Sequence, residues 1–407
     1  PRLLNPTRLD MKIAIIGGGP SALMAADVLA GTCTVDLYER GRTIGRKFLV
    51  AGDGGLNITN SVEGDELLSH YTHPEFMRPM LYAFGPNELR AWLGEIGVRT
   101  FVGSSGRVFP ERKIKPAHVL KAIQDRIVSK GVRIHTNSMF VGFDAEVRPL
   151  IRTSAGIGAI SADHYVFALG GASWPRTGSV GEWLGEFEKL GVRTVPFQPS
   201  NCGIEIAWPT ELSIHAGKPL KNIAIGVGKE FIRGEATITE YGLEGNAIYP
   251  VVPMVREQLN NTGTATIQID LKPDNTIQQV LAKLTGHSPK EWQTALSMTR
   301  AQFALIKSVT SKEQFHNAEQ LALVVKCCTL QVDELRPIEE AISSVGGIAI
   351  SEVSSELALL DHPNISVAGE MLDVDAPTGG YLLQRAFSMG YWVAHCIAGR
   401  TGIPQRQ

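Results

Sequence analysis

Two kinds of hydrophobic spacing alternate along the first part of the chain. Residues 12 to 16 (KIAII) form a short, nearly continuous apolar run, as in a strand buried on both faces of a parallel sheet. Gly17, Gly18 and Gly19 follow at once. Ala22 to Ala30 is rich in Ala, Leu and Met and reads as a helix. Val35 to Tyr38 is a second strand. Pro86 to Leu93 reads as a helix carrying Leu89, Trp92 and Leu93, and Ala117 to Ser129 as an amphipathic one with Val119, Leu120, Ile123 and Ile127 on one face. Val132 to His135 and Met139 to Val141 are strands, and a further strand from Asp163 runs into Gly170 and Gly171.

From about Pro196 the texture changes. Short β-patterned runs at Ile204 to Ile206, around Val227, at Thr237 to Thr239 and at Thr264 to Leu271 are separated by Gly and Asn turns. After Pro273 the pattern turns helical, over Thr276 to Leu284, Pro289 to Met298 and Thr299 to Val309. Near the end, Ile365 to Ala368 reads as a strand. A long helix from Tyr381 to Ile397 carries Leu382, Ala386, Met389 and Val393 as its apolar stripe.

The alternation predicts an α/β chain. Residues 1 to 10 read as a leader, 11 to 195 as the first part of a nucleotide-binding domain, 196 to 335 as an inserted β-rich then helical substrate or cap domain, and 336 to 407 as the return to the first domain.

The turn after the first strand carries chemistry. Gly17, Gly19 and Ala22 make a G-x-G-x-x-A version of the dinucleotide fingerprint, with Pro20 and Ser21 inside it. Gly17 permits the tight turn, Gly19 lets backbone approach a pyrophosphate, and Ala22 is small enough for close helix–strand packing. The free N–H groups and positive dipole end of the helix then face phosphate. Glu39 ends the second strand 20 residues after Gly19, where an acid accepts from a ribose hydroxyl; Arg40 follows it.

The fingerprint alone serves NAD as well as FAD, and three later segments favour FAD. Residues 40 to 60 hold Arg46, Lys47 and Asn57 among glycines, a stretch too irregular for a helix and too cationic for a core, suited to wrapping an extended cofactor. Ala168 leads into Gly170, where a strand ending in glycine allows close approach. Gly369 and Glu370, the loop acid Asp373, and Gly379 and Gly380 before Tyr381 open the last helix, whose N-terminus suits the electron-rich pyrimidine side of a flavin. Asp373 is the choice for a ribityl hydroxyl, with turn capping as its alternative. No second G-x-G-x-x-G follows a strand, so a separate NAD(P)H domain is not expected.

Composition narrows the rest. The 407 residues are 43% hydrophobic and 20% charged, enough for a sizeable core, and the net charge of −2 makes nucleic acid a poor partner. No apolar run reaches the length of a membrane span. The five cysteines form no C-x-x-C and no metal spacing; the neighbours Cys327 and Cys328 read as buried small hydrophobes, and a reducing, cytoplasmic location fits. No metal site, no catalytic histidine (His70 and His73 included) and no nucleophile elbow is assigned.

These segments together resemble a family of bacterial flavoproteins, the aminoacetone-oxidase-like group that includes bile-acid-inducible flavoproteins. The resemblance runs from Met11 over nearly the whole chain. It is carried by Gly45-Arg46-Lys47 with Gly52, Gly54 and Asn57 to Asn60; by Ala168 to Gly171 with Pro175 and Gly178; by Glu240-Tyr241-Gly242-Leu243 with Gly245; and by Gly369-Glu370, Asp373, Thr378 to Tyr381 and Gln384. Gly55-Leu56 stands where the family has Arg-Cys, Ala22 where it has Gly, and Trp174 where it usually has Tyr.

The resemblance implies a Rossmann-like FAD-binding domain of the two-dinucleotide-binding-domain type, with the backbone at Val141 against adenine. It also implies hydride removal from a small amine or amino-ketone, with oxygen as acceptor. An FAD reductase of a small substrate, fed by NAD(P)H bound transiently in the same cleft, is the second reading; a flavin-containing RNA-modifying or scaffold protein is the third. Trp174, beside the paired glycines, and Tyr241, from the inserted domain, are the candidates for substrate contact, with plain packing the alternative for each. Oligomeric state is left open.

Overall fold

The KIAII run forms strand β1 (Lys12–Ile16), and it sits at the centre of a parallel sheet. In this computed structural model the described residues are 11–51, 55–103 and 105–399. The expected leader and Gly52 and Gly54 lie outside them. The other strands are β2 (Thr34–Tyr38), β3 (Arg133–His135), β4 (His164–Phe167) and β5 (Ile365–Val367), in the spatial order β5-β4-β1-β2-β3. Every neighbouring pair is parallel. The order reverses between β1 and β4, and in such sheets ligands bind in the crevice outside the strand carboxyl ends at that point.

Helix α1 (Pro20–Leu29) joins β1 to β2. Between β3 and β4 the crossover carries a three-stranded antiparallel sheet, Met139–Phe143, Pro149–Thr153 and Gly156–Ala159. Its register shifts between Phe140 and Gly142, so Val141 is the extra residue of a bulge.

The last helix, α3 (Tyr381–Gly399), crosses α1, with a shorter helix α2 (Arg46–Val50) earlier in the chain. Gly390 permits that crossing, because a Cβ there would overlap the carbonyl of Ser21. The buried face of α3 matches the expected stripe only at Met389 and Val393. Leu382 and Ala386 are half-buried, whereas Gln384, Arg385 and Ser388 are buried beside Phe387, Met389 and Val393. The polar side chains bury because backbone carbonyls need donors there: Gln384 and Ser388 both donate to Phe84 O, at 2.9 and 2.6 Å. The 40–60 stretch also departs from expectation. It contains α2, and Phe48, Leu56 and Ile58 in it are buried.

These elements form one compact unit, up to Gln198 and again from Ser344; a second unit spans Pro199–Ser343. The chain expected back in the first domain at Arg336 returns at Ser344. The second unit is built on a seven-stranded sheet in the order Cys328–Val332, Ala265–Asp270, Pro219–Val227, Glu230–Ile238, Gly242–Glu244, Ile204–Glu205 and Glu334–Leu335. Each neighbouring pair is antiparallel. Helices Ile277–Thr285 and Arg300–Val309 open on Thr276 and Thr299, each in a capping box with a glutamine three residues on. The helix expected over 289–298 shrinks to Trp292–Ala295.

Candidate cofactor and active site

The carboxyl ends of the parallel strands collect most of the residues singled out above. Gly17 follows β1 with φ of 112°, and a Cβ there would overlap Ala168 O at the end of β4. Only glycine meets both conditions. Gly19 is the N-cap of α1, and no side chain caps the helix. A Cβ at Gly19 would have nothing within 4 Å, so backbone amides there face open space. That is the geometry of an anion site at the start of a ten-residue helix.

Glu39 ends β2. Its Oε1 accepts from the Gly41 amide at 2.6 Å, and its carboxylate also accepts from the Gly18 amide. Burial nevertheless holds its carboxyl above the usual range, more than these bonds and the charges of Arg40 and Arg46 offset. The start of the bulged sheet lies against it, since the Ser138 amide donates to Glu39 O and the Asn137 amide to Gly41 O. Val141 lies three residues along the chain from Ser138.

Arg40 and Arg46 are latched to one loop. Arg40 donates to Gly178 O at 3.0 Å and Arg46 to Arg176 O at 2.7 Å. The same loop holds Trp174 at φ 60°, ψ 61°, a left-handed conformation costly for a bulky side chain. Trp174 is half-buried. Trp174→Gly is expected to leave thermal stability unchanged or raise it by up to about 1 kcal/mol. A loss of turnover in that variant, at full FAD occupancy, then belongs to the ring.

Lys47 and Glu370 tie the site together. Lys47 Nζ donates at 2.7 Å to Ser173 Oγ, beyond β4, and at 2.7 Å to Glu370 Oε2, beyond β5. Glu370 Oε1 accepts from the Ser344 amide at 2.9 Å. Burial pushes the Glu370 carboxyl up, but the charges of Lys47 and Arg385 and these bonds outweigh it and hold it below the usual range. Asp373 shows the capping role that stood as its alternative. Its Oδ1 accepts from the Gly346 amide at 3.0 Å, so it caps backbone, and Glu370 is the acid at the strand edge.

Around the start of α3, Gly380 packs on the backbone of Thr59, and Asn60 donates to Gly379 O at 3.2 Å. Asn57 donates to Thr59 O and Val108 O, and its Oδ1 is buried with no partner. Gln384 is fully engaged, accepting from Thr59 Oγ1 at 2.6 Å and donating to Phe84 O, so it is a structural hub rather than a flavin contact.

Three residues left without a role in the sequence reading also stand here. His70 stacks on Tyr381, with centroids 4.1 Å apart, and its Nε2 lies 3.0 Å from the Tyr381 hydroxyl. Tyr71 donates to Tyr381 O. Arg385 is 2% exposed, and its Nε is buried without a partner. An FAD group fits these features: uncapped amides after β1, a carboxylate after β2, and unsatisfied buried polar atoms near the second glycine-opened helix.

Tyr241 belongs to the second unit. Its hydroxyl donates to Glu244 at 2.7 Å, and the Arg336 guanidinium lies 4.2 Å from its ring centroid. Both ends of the side chain are thus committed within that unit.

Residues 11–396 match the HI0933-like protein Rossmann domain family. The chain belongs to that family. It is accordingly an FAD-dependent oxidoreductase.

Among relatives of this HI0933-like chain, a 3-dehydro-bile acid delta(4,6)-reductase from Clostridium scindens is 24% identical, covering 96% of this chain and 99% of that protein. A ribosomal RNA dihydrouridine synthase from Escherichia coli is 23% identical, covering 93% and 96%. The fold is shared with a solved 3-ketosteroid delta1-dehydrogenase from Sterolibacterium denitrificans, with a TM-score of 0.53 at 12% identity, over 96% of this chain and 100% of that one. Among the described residues no helix is long and apolar enough to cross a membrane.

Proposed function

We propose that this chain adds hydrogen across a carbon–carbon double bond conjugated to a carbonyl in a small molecule, using FAD reduced by NAD(P)H that binds transiently in the same cleft. The observation that carries the direction of the reaction is the Tyr381–His70 pair. Saturating such a bond needs a hydride at one carbon and a proton at the other. Bound FAD supplies the hydride.

Gly17 to Ala22 would hold the pyrophosphate, Glu39 with Arg40 the ribose, and the Val141 bulge the adenine. Ala168 and Gly170 with Gly369 and Glu370 would line the ribityl edge, and Asn57, Gly379 and Gly380 the flavin ring. Tyr381 is then the proton source. Burial first, and the charge of Glu66 second, push its phenol up to about 12, so it stays protonated at neutral pH. Burial holds His70 below its usual range, so the imidazole is neutral, and its Nε2–H tautomer would donate to the Tyr381 oxygen as the phenol proton leaves for the substrate. The charge of Arg107 acts in the opposite sense and favours the phenol giving up its proton.

Two named relatives support the reading, since both names describe reduction of a double bond and both align over nearly the full chain. The net charge of −2 favours a small molecule over RNA.

Anaerobic stopped-flow tests it. NADPH or NADH should bleach the flavin, and cyclohex-2-enone or a 3-oxo-Δ4 steroid should restore its colour without oxygen. If a small amine bleaches the flavin and neither nicotinamide does, the chain is instead an amine oxidase using oxygen. Tyr381→Phe should slow reoxidation by the enone roughly 100-fold or more while bleaching by NADPH changes little. Equal slowing of both halves would remove Tyr381 from the proton step.

A further inference from the structure

Arg385 is among the most deeply buried charges in the cofactor-binding unit, and the reading so far gives it no task. It stands on the second turn of α3 at 2% exposure. One terminal nitrogen, Nη1, donates to Val374 O, while Nε is buried with no partner. No carboxylate pairs with it among the described residues. Glu370 feels its charge, yet that carboxylate is already bonded to Lys47 Nζ and to the Ser344 amide. One carboxylate is thus shared between two cations, and the cluster holds an excess positive charge. A guanidinium out of water with only a shared, unbonded counter-charge is costly, so its retention points to an anion that arrives from outside the polypeptide.

Its place on α3 narrows which anion. One turn earlier is Tyr381, behind Gly379 and Gly380. One turn later is Met389, whose Sδ lies 3.3 Å from the Gly369 amide, and then Gly390, which packs on Ser21 at the start of α1. Arg385 therefore belongs to the helical span between the two glycine-opened edges. A charge felt equally by oxidised and reduced cofactor changes affinity alone. A charge felt more strongly by the reduced form changes the reduction potential.

We propose that Arg385 is an electrostatic positioning residue for FAD, its buried guanidinium offsetting the negative charge that reduction places on the flavin. The idea rests on FAD as the cofactor and not on the substrate class above, so either can fail alone.

The test is the two-electron midpoint potential of the holo-protein, measured by reductive titration against reference dyes, with sulfite titration of the oxidised flavin as a second probe. Sulfite adds to the flavin to leave an anion, so it reports the same charge without turnover. Arg385→Gln and Arg385→Met should each lower the equilibrium constant for reduction at least tenfold, about 30 mV for a two-electron couple, and weaken sulfite binding at least tenfold. Arg385→Lys, which keeps the charge, should stay within threefold on both. Glu370→Gln, which removes the opposing charge, should move both the other way.

Wild-type potential and sulfite affinity in the Gln variant would overturn the proposal. So would a Lys variant as impaired as the Gln one, which would assign Arg385 to holding Val374 alone. Should the Arg385 variants retain no FAD, Glu370→Gln decides: a potential that fails to rise counts against it.

Discussion

Gly17→Ala is expected to yield a protein with neither FAD nor wild-type stability, whereas Gly19→Ala should lose FAD alone. The two glycines sit two residues apart in one turn but answer to different constraints. Gly17 has a left-handed φ of 112°, and its missing Cβ is space taken by Ala168 O. Alanine there meets conformational strain and a backbone clash that joins β1 to β4. The cost should be about 3 kcal/mol or more. Gly19 has φ −83° and ψ 179°, which any residue adopts, and its Cβ position is empty. Alanine there costs the apo-protein about 1 kcal/mol or less, as an N-cap change. It does put a methyl where the pyrophosphate backbone would approach, so FAD affinity should fall at least tenfold. Chemical unfolding of both apo-proteins and fluorescence titration with FAD separate the two effects. Wild-type FAD affinity in Gly19→Ala would mean that this turn is not the phosphate cradle.

That contrast also marks how far the sequence could be read. The switch from a buried apolar run to glycines and then to a helix is local, so β1, α1 and the turn between them were legible. So were Glu39 and the glycines at 170 and 369, because strand ends followed by glycine are a pattern of neighbours. Helix α3 was placed well, but its buried face was misread in part. Apolar spacing chose Leu382, Ala386, Met389 and Val393, of which the last two are buried, while Gln384 and Ser388 go inside to meet Phe84 O, a carbonyl about 300 residues away in sequence. Arg385 is hidden by the same logic, since a charge in a stripe search counts as solvent-facing.

Lys47 looked like part of a cationic loop because its counter-charge lies 323 residues on. Whether Asp373 meets the cofactor or caps backbone could not be settled from spacing, and only the fold shows that the Gly346 amide donates to it. The strand Cys328–Val332 was an avoidable omission, as its burial alternates at every residue, with Cys328 inside at the edge of the second unit's sheet.

Lys47→Met should destabilise the protein most at neutral pH and least in mild acid. Lys47 and Glu370 are 28% and 15% exposed, so the carboxylate left behind would be largely cut off from water. Removing one partner of such a pair should cost about 2 to 3 kcal/mol near pH 7.5, at the low end for buried pairs because some solvent reaches the lysine. The sign with pH follows from the shift of Glu370. In the wild type its carboxyl lies below the ordinary value, so its contribution is complete above the unfolded pKa, about 4.3, and is lost as pH falls through the lower folded value.

In the variant, burial acts without the lysine and the folded value moves up. The group then favours the folded state below its unfolded pKa and loses that contribution as pH rises. The gap between the two proteins should therefore close to under about 1 kcal/mol by pH 4.5. Urea unfolding of the apo-proteins at pH 7.5, 6 and 4.5 measures it. The double variant Lys47→Met with Glu370→Gln should recover part of the loss at pH 7.5, since the carboxylate no longer lacks its lysine, while Arg385 gives up the charge of Glu370. A gap that stays constant across this range would mean that Lys47 stabilises the unit by packing and its bond to Ser173, and that Glu370 does not depend on it for its charge.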